Sequence, residues 1–371
     1  MHVNKSQSVG LITLLIAGSA HGATLQVCPT CSHTTLQGAV NAAADGDVIN
    51  VAAGRYIENV TISGKALAIV GSGGGPNGET LVTAAGRGPV FTLGSGVAGD
   101  TNHLIIISGV TVSGGNHMSG TGVGGGIQVR TGAQLQLSNS VVTGNYAIFG
   151  GGVGIDSPGT PTSTIINCSI SDNAAPGGGA RGLGLGGGIY VRQGSKVSID
   201  ESTLSRNQSK GGGGVYTDNN TTLNLNNSTV TLNSTVSYST PQGPTDGDGG
   251  GLELQGDFSI ADSFIVSNQV NPGTNGGGGL AIFANDSGTH IISRTTISHN
   301  SAFSGDGGAR GGGILVFTLA SAPLTVDHSY VVQNLLAGGI WASPGINLTN
   351  TVVDGNVGGN VCIANSNGVC Q

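Results

Sequence analysis

Residues 186–207 read GGGIYVRQGSKVSIDESTLSRN: a glycine run, an aliphatic residue, then two short apolar stretches closed by asparagine. This pattern stands eight times in the chain. The glycine runs end at Gly126-Ile127, Gly152-Val153, Gly188-Ile189, Gly214-Val215, Gly251-Leu252, Gly279-Leu280, Gly313-Ile314 and Gly339-Ile340. The closing asparagines are Asn145, Asn173, Asn207, Asn233, Asn268, Asn300, Asn334 and Asn356. A fixed period of this kind dictates the architecture before any local feature is weighed.

From aliphatic residue to asparagine the steps are 18, 20, 18, 18, 16, 20, 20 and 16, all even. Strand side chains alternate faces, so even changes of length keep the inward set inward. From each asparagine to the next aliphatic residue the steps are 8, 16, 8, 19, 12, 14 and 6, free in size and parity. Insertions are therefore expected at one place per repeat, which in a stacked protein is one edge and a common binding edge.

Alignment on the asparagine exposes the core. Eight residues before it stand Leu137, Ile165, Ile199, Leu225, Ile260, Ile292, Val326 and Leu348; three before it stand Val142, Ile170, Leu204, Val230, Ile265, Ile297, Val331 and Val353. Five before it is a small column: Ser140, Cys168, Ser202, Ser228, Ser263, Thr295, Ser329 and Thr351. Fixed apolar and small columns, in segments too short for helices, predict stacked strands. The repeat averages about 30 residues, enough for one solenoid coil of two or three strands plus a loop. Glycine runs suit corners that need positive φ or close approach of the next coil. Stacked in register, each asparagine amide can bond the one above and below. The predicted fold is all-β: a parallel β-helix, right-handed as parallel crossovers overwhelmingly are.

Composition fits one elongated domain over residues 23–371, its repeats at about 104–360. Glycine supplies 70 of 371 residues and charged groups 8%, but every repeat has something to bury, which argues against disorder. A net charge of −7 with 12 scattered Lys and Arg gives no nucleic-acid footprint. Residues 1–22 read as a secretory signal peptide: basic His2 and Lys5, a short apolar Val9–Ala17 stretch, and small residues at Ala20-His21-Gly22. No other stretch is long enough to span a membrane. Export permits disulfides. Cys28 and Cys31 are expected to form a local one, and Cys362 with Cys370 to close a C-terminal loop. Cys168 is left over, but its place in the Ser/Thr column marks it as a buried small residue rather than a nucleophile.

Before the repeats, Leu36, Ala39, Val40 and Ala43 share one helical face. A short helix here would cover the open end of the first coil. The segment Gln37–Ala44, Gly46-Asp47-Val48-Ile49 and Gly54-Arg55-Tyr56-Ile57-Glu58-Asn59-Val60-Thr61-Ile62 resembles the opening of the pectin-lyase-like superfamily of right-handed parallel β-helices. With the repeats, this resemblance spans residues 33–360 and implies the fold. The Gly-Gly-Gly-aliphatic and x-x-Asn repeats also look like those of bacterial surface β-helix proteins, which often lack enzymatic activity.

Gly54-Arg55-Tyr56-Ile57-Glu58 resembles the Gly-x-Tyr-x-Glu pattern of pectin methylesterases, but that family's Asp- and Arg-bearing downstream segments are missing. The chain has no Asp-Asp pair of the polygalacturonase kind and no Asp-Pro-His of the alginate-acting kind. A pectate-lyase site, a Ca²⁺ cluster of carboxylates with an Arg base, draws its ligands from separate coils and shows no local motif. The variable edge offers Arg181, Tyr238, Asp246, Asp248, Asp306 and Arg310 as candidate ligand-binding residues. The plainer reading of these residues is that they solvate glycine-rich loops. Asp200, Glu201, Asp262, Asp327 and Arg294 read as exposed residues on strands. His103, His117, His290, His299 and His328 read as surface or turn residues, without metal-ligand spacing.

The expectation is an exported, non-catalytic β-helix protein, secreted or at the cell surface, for adhesion or for binding a polysaccharide or surface glycan, with no cofactor. The alternatives are a polysaccharide lyase or hydrolase of the same fold, where Ca²⁺ would enter, and a structural rod.

Overall fold

The computed structural model describes residues 22–73, 78–120, 122–177, 184–236, 239–240, 243–244, 247–271, 276–283, 288–303, 310–317, 323–342 and 345–363. Each repeat is one coil of a parallel β-helix. Starting at Ala133, the chain runs through Ala133–Ser138, turns at Asn139, continues as Val141–Thr143, turns at Gly144, and adds the two-residue strand Tyr146–Ala147. It then crosses to Val153–Asp156 and enters the next coil at Ser163–Ile166. Stacking the coils gives four parallel sheets, here called I to IV in that order, with 12, 11, 7 and 11 strands. Sheet III, built from strands such as Asn116–His117 and Tyr146–Ala147, adds a fourth strand to the two or three expected per coil. One antiparallel hairpin, Ser239–Thr240 with Gly243–Pro244, stands outside the stack.

The aliphatic columns are the core. From Leu137 to Val326 and from Val142 to Val331 every member is fully buried. In the last coil the inward Leu348 is 39% exposed, because no described coil covers it. Pairing runs one to one without slippage: Val142↔Ile170, Ile170↔Leu204 and Leu204↔Val230, for example. This is the register that the even spacing demanded.

The asparagines form a continuous ladder. The amide nitrogen of Asn207 donates to Asn233 Oδ1 at 3.0 Å and to the Ile170 carbonyl at 2.9 Å, while Asn207 Oδ1 accepts from the Asn173 backbone and amide at 3.1 and 3.0 Å. From Asn173 to Asn334 each buried amide thus makes all four hydrogen bonds that its chemistry offers. The Ser/Thr column works the same way one corner earlier. Ser202 Oγ donates to the Asp200 carbonyl (2.7 Å) and accepts from the Cys168 backbone (3.1 Å). Cys168 takes this role with sulfur, donating to the Ile166 carbonyl at 3.2 Å, and burial pushes its thiol up to about 11.

Two expectations need correction. Glu201, Asp262 and Arg294 are not on strands. With Asn139, Asn167, Asn227, His328 and Asn350 they occupy the single left-handed residue (φ 46–52°) that turns each coil from sheet I to sheet II. The left-handed backbone is held at each level by the coils above and below, and Arg294 and Asp262 also pair bidentately across levels at 2.7 Å. His290 is not at the surface: it lies on the sheet I strand His290–Ser293, 2% exposed, with its ring 5.4 Å from Phe258.

At the N-terminal end, helix Leu36–Ala42 buries Leu36, Ala39 and Val40 over the first coil. Its first N–H groups, on Leu36 and Gln37, donate to the Glu58 carboxylate at 2.8 and 2.9 Å. Its last carbonyls accept from Lys65 Nζ. These are the charge placements that a helix dipole favours. Tyr56 is buried, with its hydroxyl on the Ala52 carbonyl. The Tyr-x-Glu pair therefore closes the cap. Cys28 and Cys31 are disulfide-bonded, and Cys362 is disulfide-bonded as well, while Cys370 lies outside the described residues. No described helix is long and apolar enough to cross a membrane.

Candidate functional site

Sheet IV differs from the others in that most of its outward residues are covered too. Ile189–Val191, Val215–Thr217 and Leu252–Leu254 are buried on both faces. Outward Tyr190 packs with Phe149 (ring centroids 5.1 Å apart) and Tyr216 (5.9 Å), against Val123 and Leu185. Further along, Ala281, Leu315 and Trp341 form a second covered apolar cluster.

Where the cover stops, a cleft of about 690 Å³ opens, lined by Gly96, His117, Gln128, Arg130, Thr131, Asp156, Pro158, Arg192 and Gln193. Its floor is set by strand register. Arg130 pairs with Asp156 across Ile127–Arg130 and Val153–Asp156. Arg192 and Asp218 continue that row, each directly following a paired strand end. The outward row thus reads Arg130, Asp156, Arg192, Asp218, with rungs about 4.8 Å apart. Arg192 Nη1 donates to Asp156 Oδ2 at 2.7 Å, and this contact raises the Arg192 pKa. Asp218 Oδ2 accepts the Tyr190 hydroxyl at 2.6 Å and the Gln193 N–H at 3.3 Å. Burial first, then the Asp218 charge, pushes the Tyr190 hydroxyl well above its ordinary value. Burial, then Glu253, does the same to Tyr216. Both are therefore neutral at physiological pH, Tyr190 donating to Asp218 and Tyr216 accepting from the Gln255 amide.

Arg130 stands apart. Its guanidinium lies flat against Gly96, where any β-carbon would collide with Nη2. Among the described residues it has neither an ion-pair nor a hydrogen-bond partner. Half-buried on the cleft floor, it presents a planar set of donors to whatever enters. No three His, Cys, Asp or Glu side chains converge on a metal position among the described residues.

The residues that the sequence nominated lie elsewhere. Asp248 is buried beside sheet IV, its Oδ1 accepting from the Gly276 N–H at 3.1 Å. Arg310 stacks on Trp341, 4.5 Å from the ring centroid. Two coils separate Asp248 from Arg310, about 10 Å along the axis. Arg181, Tyr238, Asp246 and Asp306 lie outside the described residues. The cleft row escaped the alignment on asparagine, because the length from glycine run to asparagine varies. Counting three residues on from the glycine-run aliphatics instead gives Arg130, Asp156, Arg192, Asp218, Gln255, Phe283, Phe317 and Ser343. The alternation of charge in that column was the available signal.

Residues 95–287 match the family model described as "Right handed beta helix region", which is just over half of the chain. No curated protein sequence matches this chain. Among solved structures, similar chains are a pectin methylesterase from Aspergillus niger in deglycosylated form (12% identity, TM-score 0.40, covering 92% of this chain and 87% of that one) and pectate lyase Pel9A (14% identity, TM-score 0.49, covering 91% and 80%). At such identities and scores, neither likeness bears on what this chain does.

Proposed function

The chain belongs to the right-handed β-helix family, and on that premise we propose that it binds an anionic polysaccharide in the sheet IV cleft without turning it over. The observation that supports this most directly is Arg130, an open guanidinium on the floor of a polar groove. A carboxylate or sulfate on a sugar ring matches its paired donors. Gln128, His117, Thr131 and Gln193 line the same groove and offer partners for hydroxyl groups. Asp156 and Asp218 are each engaged, by Arg192 and by Tyr190, an arrangement suited to holding a surface rather than moving a proton. The same reading places the protein outside the cell, where the Cys28–Cys31 bond persists.

Binding to polyuronates and sulfated glycans, measured at low and raised salt, tests the proposal. Arg130→Ala should abolish most of the binding, and salt should weaken it. Binding that ignores this substitution would sink the reading. One observation favours a second reading, a lyase or hydrolase of the same fold: Asp156 and Asp218 face outward two rungs apart, about 10 Å, near the separation of an inverting carboxylate pair. Release of reducing ends, or of ultraviolet-absorbing unsaturated product with and without Ca²⁺, would establish that reading over simple binding.

A further inference from the structure

The outward face of sheet II carries a feature that the cleft does not use. From Thr111 to Thr229 its leading column is hydroxyl-bearing or valine. It then continues Phe264, Thr296, Tyr330, Val352 in strict register. Phe264 and Tyr330 are each 54% exposed. They stand two rungs apart, about 10 Å, with only Thr296 between them. The parallel column beside them is Val266, Ser298 and Val332, so these three turns carry no charge on this face. At the corner toward sheet I the charged side chains pair with each other: Arg294 grips Asp262, and His328 lies 2.8 Å from Asp327; at the opposite corner the exposed His299 turns its ring onto Ser298, 3.2 Å from the hydroxyl. One exposed aromatic is ordinary; two on alternate rungs of a flat, uncharged strip make a platform.

We propose that this strip is a second glycan-binding surface, taking an extended, neutral β-1,4-linked polysaccharide laid along the helix axis. In such a chain, rings with equatorial substituents present flat C–H faces, and a disaccharide repeat brings equivalent rings to about the spacing of two rungs. Equivalent rings then stack on Phe264 and Tyr330, C–H face against π face. The half-buried Thr296 offers its hydroxyl to the sugar hydroxyls between the two rings. A face without charge complements a neutral ligand, in contrast to the Arg130 cleft. A second copy of the chain fits poorly. Three rungs of three residues cover about 15 by 10 Å, far below the ~800 Å² per partner of a stable interface. The platform stands independently of the cleft.

The test is depletion of the protein from suspensions of crystalline cellulose and of chitin. The unsubstituted protein should bind at least one of them. Phe264→Ala and Tyr330→Ala should each weaken binding roughly tenfold, and the pair should abolish it. Tyr330→Phe, which keeps the ring, and Arg130→Ala, which touches only the cleft, should bind as the parent does. Thermal melts check that the pair folds. If it does not, Phe264→Thr with Tyr330→Thr replaces it, since threonine already occupies this column at Thr296. Three results would overturn the proposal: no depletion by either solid, full binding by the double variant, or an effect confined to self-association.

Discussion

Replacing Asn233 by leucine should destabilise the protein by about 2–6 kcal/mol, and the arithmetic comes from its hydrogen bonds. Asn233 is fully buried. Its Oδ1 accepts from the Asn207 backbone at 2.9 Å and from the Asn207 amide at 3.0 Å; its Nδ2 donates to Asn268 Oδ1 at 3.0 Å and to the Leu204 carbonyl at 2.9 Å. Leucine fills a similar volume but makes none of these bonds. Two buried donors, the Asn207 N–H and one Asn207 amide hydrogen, lose their acceptor, and the Leu204 carbonyl loses a donor. At ~1–3 kcal/mol for each orphaned donor, the loss is ~2–6 kcal/mol, a large part of the ~5–15 kcal/mol that holds a domain. Coils touch only their neighbours, so the damage should be local. Urea unfolding measures the loss, and native-state hydrogen exchange should show Asn207 losing protection first. Thr229→Ala, at an outward position of the same coil, is the control. If the leucine variant loses no more than this control, the ladder is an ornament of the stack rather than a source of its stability.

Cys168→Ser should change stability by less than ~0.5 kcal/mol, because serine oxygen makes the bonds its neighbours already make. In the folded parent this thiol, buried and raised to about 11, should resist thiol reagents at pH 8 until the chain unfolds, and rapid labelling of native protein would count against it. Glu58→Ala should remove the N-terminal anchor of helix Leu36–Ala42, lower stability by ~1–2 kcal/mol and raise hydrogen exchange at Leu36 and Gln37. An unchanged melt would mean the helix is held by packing alone. Asp172 and Asp262 have pKa values held below the ordinary 3.8, chiefly by hydrogen bonds from Arg206 and Arg294. Their folded values lie below their unfolded ones, so their contribution is present above about pH 4 and lost as pH falls through the folded values. Asp172→Asn with Asp262→Asn should flatten the acid limb of a stability–pH curve, a small effect for exposed pairs; an unaltered limb would refute it.

The two proposed glycan surfaces draw on opposite chemistry from one scaffold. The cleft exists because successive strand ends of sheet IV stack Arg130, Asp156 and Arg192 on one line beside a glycine, Gly96, that leaves room for a guanidinium. The platform exists because register places Phe264 directly two rungs from Tyr330. Neither arrangement is local in sequence. The cleft gathers residues from Gly96 to Gln193, and the platform spans Phe264 to Tyr330.

The sequence alone determined the coil, its inward columns, the asparagine ladder and the place of Cys168. These sites are repeated because burial constrains each of them in the same way at every level: an inward position must be aliphatic, and a buried corner amide must match the amide above and below. The outward positions answer to no such rule. The tertiary structure decided that Glu201 and Arg294 turn corners, that His290 is buried, that Glu58 anchors a helix, and that Arg130 faces an open cleft. Each of these depends on which side chains the coils bring alongside one another, and that alignment is set by connections whose length varies from coil to coil.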